Sequence, residues 1–142
     1  ASDTVNQIAD QCGLDIIQLH GDESPDYSRA IRRRVIRALR VKDISSLDVM
    51  DTYAVSAFLL DAWSPDAYGG TGRTFNWEIA AHASKRGRII LAGGLTPENV
   101  TESIRLSRPY GVDVSSSVEI EPGRKDAARV REFIRNVKEI RS

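Results

Sequence analysis

The chain has 142 residues, enough for one domain with a sizeable core, and its 20 basic and 20 acidic residues cancel. That balance excludes a general electrostatic pull toward nucleic acid or anionic membranes. Its single cysteine, Cys12, excludes an intrachain disulfide framework and suits a reducing, cytoplasmic setting.

No apolar run approaches the ~20 residues of a membrane-spanning helix, and no basic-then-apolar leader is visible. In chain order, "DTVNQIADQCG" predicts a helix with Val5, Ile8 and Ala9 on one side. A strand "LDIIQLH" (14–20) follows, then helical signals over 25–33. Next come a strand "VIRALRV" (35–41), a helix over 44–54, a strand "AFLLD" (57–61) and a helix over 74–86. "RIILAGG" (88–94) is a fourth strand, and "TPENV" sets Thr96 as N-cap with Pro97 at the first helical position. "YGVDVSS" (110–116) is a fifth strand, and over 124–140 Ala127, Val130, Phe133, Ile134 and Val137 form one apolar stripe. Apolar runs without strict alternation suit parallel strands covered on both faces, and their recurrence every ~20 to 30 residues matches a βα unit. Two architectures fit, an open doubly wound sheet or part of a (β/α)8 barrel. Both place ligands at the carboxyl ends of strands. Gln18, His20, Asp61, Gly93, Gly94, Asp113, Ser115 and Ser116 all fall there.

Asp61 ends an apolar strand, where partial desolvation would suit a proton donor; capping of the following turn is the plainer alternative. "GGTG" (69–72), "AGGL" (92–95) and "DVSSS" (113–117) offer backbone N–H groups and hydroxyls at successive strand ends, the makings of a phosphate site. None fits a dinucleotide or Walker fingerprint. The arginine run "SRAIRRRVIRALR" reads as a solvated helix face leading into a strand. His20 reads as a hydrogen-bonded group or a base, His82 as a surface residue, and Cys12 as a small buried apolar residue. Trp63, Tyr68 and Trp77 read as packing around the loop after Asp61. No cluster has metal-ligand spacing.

Together "DIIQLHGDES", "FLLDAWSPDAYGGTGRTFNW", "ILAGGLTPENV" and "GVDVSSSVEIEPGRKD" closely resemble the phosphoribosylanthranilate isomerase family of tryptophan biosynthesis. The resemblance implies an α/β fold of the (β/α)8 kind and an Amadori rearrangement of N-(5'-phosphoribosyl)anthranilate, without cofactor or metal. It implies Asp61 as general acid, with Gly72, Gly93, Gly94, Asp113, Ser115 and Ser116 around the substrate and its phosphate, and Gln18 and His20 on the sugar side. Ser117 stands where the family commonly has glycine. The motifs match the family's fourth to eighth strands. The first strand with its general-base cysteine, and the arginine that meets the anthranilate carboxylate, have no counterpart, and Cys12–Gly13 is not that motif.

The expectation is therefore one partial-barrel domain, residues 1–142, of a truncated isomerase with little or no activity. The alternative is a non-catalytic sub-barrel fragment that folds and binds phosphate. Open edges predict self-association or pairing with a missing N-terminal piece, unless the first helix plugs the open core through Val5, Ile8 and Ala9.

Overall fold

Parallel pairing in strict chain order organises the molecule. The computed structural model describes residues 2–61 and 72–140. After helix α1 (Ser2–Cys12) come strand β1 (Ile16–Leu19), helix α2 (Pro25–Arg29), strand β2 (Arg34–Arg40), a 3-10 helix (Ile44–Thr52) and strand β3 (Ala57–Asp61). Then follow α3 (Gly72–Ser84), β4 (Ile89–Ala92), α4 (Val100–Ser107) and β5 (Gly111–Val112). A 3-10 turn (Ser116–Val118), a hairpin of β6 (Glu119–Glu121) and β7 (Arg124–Lys125), and helix α5 (Ala127–Glu139) complete the chain. The sheet runs β1-β2-β3-β4-β5 with every pair parallel, and the hairpin forms a separate two-stranded sheet. This order never reverses, unlike a doubly wound sheet, so right-handed crossovers place all connecting segments on one face.

The packing agrees. One cluster joins Leu39, Phe58, Leu60, Ile89 and Leu91 from the strands to Trp77, Ile79, Ala80, Ala83, Val100 and Phe133 from the helices. A second cluster, Ala38, Leu59 and Ala92 with Ile36 and Ile90, lies on the alternate strand positions and contains no helical residue. The sheet thus has a helix-covered face and an inner face of small and apolar side chains. Each fully buried Leu or Ile on the covered face contributes about 1.5–3 kcal/mol of burial.

Several expectations are corrected. Helix α1 packs on the covered face: Val5 joins Leu19, Ile31 and Val35, and Ala9 is fully buried. Ile8 is exposed, so this helix does not plug the inner face. Asn6, a polar residue, docks α1, because its Nδ2 donates to Ala30 O at 2.9 Å and its Oδ1 accepts from Arg32 N at 2.8 Å. Cys12 is exposed, not buried. The 25–33 helix shrinks to one turn and the 44–54 helix is 3-10. The fifth strand is two residues long, and the polar stretch after it turns back into the unforeseen hairpin. In α5 Phe133 is buried but Ile134 is exposed, at the margin of the apolar stripe. Among the described residues no helix is long and apolar enough to cross a membrane.

Leu60 has no exposed surface. Leu60→Ala should lower the unfolding free energy by about 2–5 kcal/mol in urea titrations, and Ile8→Ser by about 0.5 kcal/mol or less. Equal effects would contradict the placement of the core on the covered face.

Candidate functional site

Period-two alternation decides which side chains meet at the carboxyl ends of the strands. Ladder partners Arg40, Asp61 and Ala92 lie side by side on β2, β3 and β4, on the inner face with Ala38, Leu59 and Ile90. Gln18 pairs with Ile36 and joins the same face from β1. Asp113 extends β5, donating its N–H to Leu91 O at 2.8 Å. A cavity of about 350 Å³ opens here, lined by Gln18, His20, Asp61, Gly93, Gly94, Asp113, Ser115, Ser116 and Ser117 with their apolar neighbours. Every expected residue but Gly72 is on this lining; Gly72 opens α3 and its surroundings, like the loop 62–71 before it with Trp63 and Tyr68, lie outside the described residues. Trp77 is a buried core residue of α3 and His82 is exposed.

Two loops form the β4–β5 side of this cavity. Gly93 and Gly94 have φ of +77° and +64°, consecutive left-handed positions that only glycine adopts readily. They turn the chain sharply after Ala92. Thr96 and Asn99 then bond reciprocally: Thr96 N donates to Asn99 Oδ1 at 2.8 Å, and Asn99 N to Thr96 Oγ1 at 3.2 Å. Asn99 Nδ2 reaches back to Gly94 O at 2.9 Å. Thr96 therefore caps a turn, and α4 proper begins at Val100 rather than at Pro97.

The serine loop is tied to this glycine loop by a hydrogen bond from Ser117 Oγ to Leu95 O. Ser117 is not in the left-handed region, so serine at that position carries no backbone strain. Two cations outside the cavity hold the loop's carbonyls. Lys125 Nζ donates to Ser115 O at 3.1 Å and pairs with Glu119 at 2.6 Å, while Arg129 Nε donates to Ser117 O at 2.7 Å. In a trans peptide the carbonyl and the next N–H point opposite ways. Holding Ser115 O outward on Lys125 turns the Ser116 N–H away from that cation. Among the described residues no hydrogen bond uses the N–H of Gly94 or of Ser116. These amides and the cavity's hydroxyls suit an oxyanion.

Sequence reading missed Lys125, Arg129 and Asn99 as supports, although "EPGRKD" signals a tight turn that brings its lysine back onto the preceding serines. It also took Arg37 for a solvated residue. Arg37 is 7% exposed and ion-pairs with Glu23 at 2.5 Å. Alternation in β2 carried that signal, since Arg37 shares the buried face with Val35 and Leu39. Cys12 ends α1 at the amino-terminal end of β1, on the far side of the sheet from the cavity.

The sequence model of the family described as "PRAI: N-(5'phosphoribosyl)anthranilate (PRA) isomerase" matches residues 1–136. The chain belongs to this family. N-(5'-phosphoribosyl)anthranilate isomerase from Pelobacter propionicus is 64% identical over 97% of this chain and 66% of its own length. The crystal structure of phosphoribosyl anthranilate isomerase from Thermotoga maritima superimposes with a TM-score of 0.85 at 37% identity, covering 97% of this chain and 68% of that one. A solved isomerase in complex with reduced 1-(o-carboxyphenylamino)-1-deoxyribulose 5-phosphate gives a TM-score of 0.82 at 32% identity, over 97% of this chain and 66% of that one. The chain thus spans about two thirds of the length of the curated relatives it matches.

The Lys125 ammonium holds the Glu119 carboxyl below the usual carboxylate range, against an opposing push from burial. A carboxyl lowered by folding stabilises the fold above its unfolded value and loses that contribution as pH falls through the folded one. Glu119→Gln should therefore destabilise the protein at pH 7 and make no difference well below the carboxylate range, read from urea midpoints across that interval.

Proposed function

We propose that these residues form the acid-and-phosphate side of a site for the Amadori rearrangement of N-(5'-phosphoribosyl)anthranilate. One observation carries the reading: a single cavity gathers Asp61 with Gly93, Gly94, Asp113, Ser115 and Ser116. The substrate phosphate sits between the glycine and serine loops, on the N–H groups of Gly94 and Ser116 and the nearby hydroxyls. The ribose then lies over β3, where Asp61 gives its proton to the ring oxygen and opens the aminoaldose to a Schiff base. Loss of the C2′ proton to a base yields the enolamine, which becomes the aminoketose. Asp113, Gln18 and His20 line the sugar side, and the reaction in this reading needs no cofactor.

The base is the missing role. Cys12 is exposed at the opposite end of the sheet, a position from which it cannot reach the C2′ proton. In this reading the five strands are consecutive strands of a (β/α)8 barrel in one domain, supported by their unreversed order and by helices confined to one face. The base and the group that holds the anthranilate ring belong to strands that are not among these 142 residues. Absence of the base costs ~10²–10⁴-fold, and loss of ring positioning adds to it.

A second reading, a sub-barrel that binds phosphate without catalysis and associates through its edges, is favoured by half-exposed Ile16 on β1, the first strand of the sheet. Turnover separates the two.

The 142 residues alone should convert the substrate at no more than a trace rate, followed by loss of anthranilate fluorescence, and Asp61→Asn should abolish whatever remains. Brisk turnover would contradict the assignment of the base to other strands. Inorganic phosphate should bind with an affinity that Lys125→Met weakens by roughly threefold to tenfold, whereas Asp61→Asn leaves it within about twofold. Phosphate binding indifferent to Lys125 would remove that lysine from the phosphate loop's support.

A further inference from the structure

Arg37 is the most deeply buried charged group of the described residues, and the mechanism above does not use it. It projects from β2 on the helix-covered face, not into the substrate cavity. Its guanidinium reaches the segment that leaves β1: Nη1 meets Glu23 Oε2 at 2.5 Å and Nη2 donates to Gly21 O at 2.7 Å. Glu23 Oε2 also accepts from Gly21 N at 3.0 Å. Tyr53, from the 44–53 segment, closes the assembly, donating its hydroxyl to Glu23 O at 2.7 Å while its ring lies 5.3 Å from the Arg37 guanidinium carbon. Both chain neighbours of His20 are thereby fixed by one residue. Leu19 is the ladder partner of Arg37, and Gly21 hangs from its side chain. A second cavity, of about 200 Å³, is bounded by His20, Gly21, Asp22 and β2 from Arg37 to Arg40, so His20 stands on the partition between it and the Asp61 cavity.

We propose that Arg37 is a positioning residue whose ion pair with Glu23 sets His20 at the sugar side of the substrate cavity. The proposal rests on the reading of that cavity as a phosphosugar site. A buried guanidinium is costly to desolvate and is retained in a fold only when its geometry is well compensated. Here the compensation comes from two residues of one loop, the Gly21 carbonyl and the Glu23 carboxylate, and from the ring of Tyr53, itself bonded to the Glu23 carbonyl, while Nε has no partner among the described residues. The covered face at β2 is otherwise apolar, so methionine fills the same space without holding the loop. The phosphate loops lie across β3 on the β4–β5 side and, among the described residues, share no hydrogen bond with this assembly.

The test compares two probes on the 142-residue chain, inorganic phosphate and reduced 1-(o-carboxyphenylamino)-1-deoxyribulose 5-phosphate. Arg37→Met should leave phosphate affinity within about twofold and weaken the analogue by roughly tenfold or more. The His20 imidazole resonance should move on analogue addition in the unsubstituted chain and stay still in Arg37→Met. Arg37→Lys, which can reach Glu23 or Gly21 O but not both, should recover part of the lost analogue affinity. Glu23→Gln keeps a neutral acceptor for Arg37 and should fall in the same intermediate range, which provides a milder variant if methionine prevents folding. Equal loss of both probes, or unchanged analogue affinity, would overturn the proposal and leave the phosphate site standing. Binding of phosphate but not of analogue by the unsubstituted chain would remove His20 from the substrate's surroundings and overturn it too. Binding of neither probe would overturn the phosphosugar reading itself.

Discussion

The arrangement at the carboxyl edge depends on one constraint, the parallel register of five strands paired in chain order. Side chains alternate between faces, so a slip of β3 by one residue against its neighbours would turn Asp61 into the helix layer and a core leucine into the cavity. The register is held because the covered face carries large apolar residues at every strand, while the inner face sets alanines among Ile36, Leu59 and Ile90. Leu60 and Leu91 fill the space under the helices, while Ala38 and Ala92 pack in one cluster with Leu59 on the other side. A shifted strand would expose the former and overpack the latter. The position of a carboxylate beside two glycine-rich turns is thus a consequence of core packing several residues away.

The rim is stabilised by groups that do not enter the cavity. Lys125 and Arg129 engage carbonyls of the serine loop from behind, Asn99 does the same for Gly94, and Arg37 for Gly21. Each of these donors holds an acceptor on the outer side of a loop. Because a peptide unit is planar, fixing its carbonyl also fixes the N–H of the next residue. Lys125 pre-orients the Ser116 N–H in this way without any side chain occupying the ligand's space, which suits the proposed doubly charged phosphate.

Legibility from sequence followed the length of each local signal. The apolar runs that became β2 to β4 stood out because burial on both faces suppresses alternation, and the strand-end rule then assembled nearly the whole cavity lining from residue positions alone. Short signals were less secure. Thr96 was read as a helix cap, yet the asparagine three residues on shares the capping and delays α4 to Val100. The arginine run was judged by its charge, and Arg37 escaped notice because its buried ion pair is made with Glu23, fourteen residues earlier. Val5, Ile8 and Ala9 gave the right helix but the wrong destination. Docking of α1 depends on Asn6 meeting the backbone at Ala30 and Arg32, a contact that no pattern of hydrophobicity encodes. Cys12 shows the limit of residue type as a guide, since its exposure follows from where α1 ends.

The proposed phosphate site between two backbone loops is supported by membership of the isomerase family and by the cavity geometry. The most direct measurement is an amide NMR titration with inorganic phosphate. A site of this kind should give a saturable response with the largest shifts at Gly94 and Ser116 and smaller ones at their neighbours. Weak, unsaturated shifts centred on the arginines at 32–34, of which Arg32 and Arg34 are exposed, would mean that phosphate is attracted by surface charge alone, and would contradict the site.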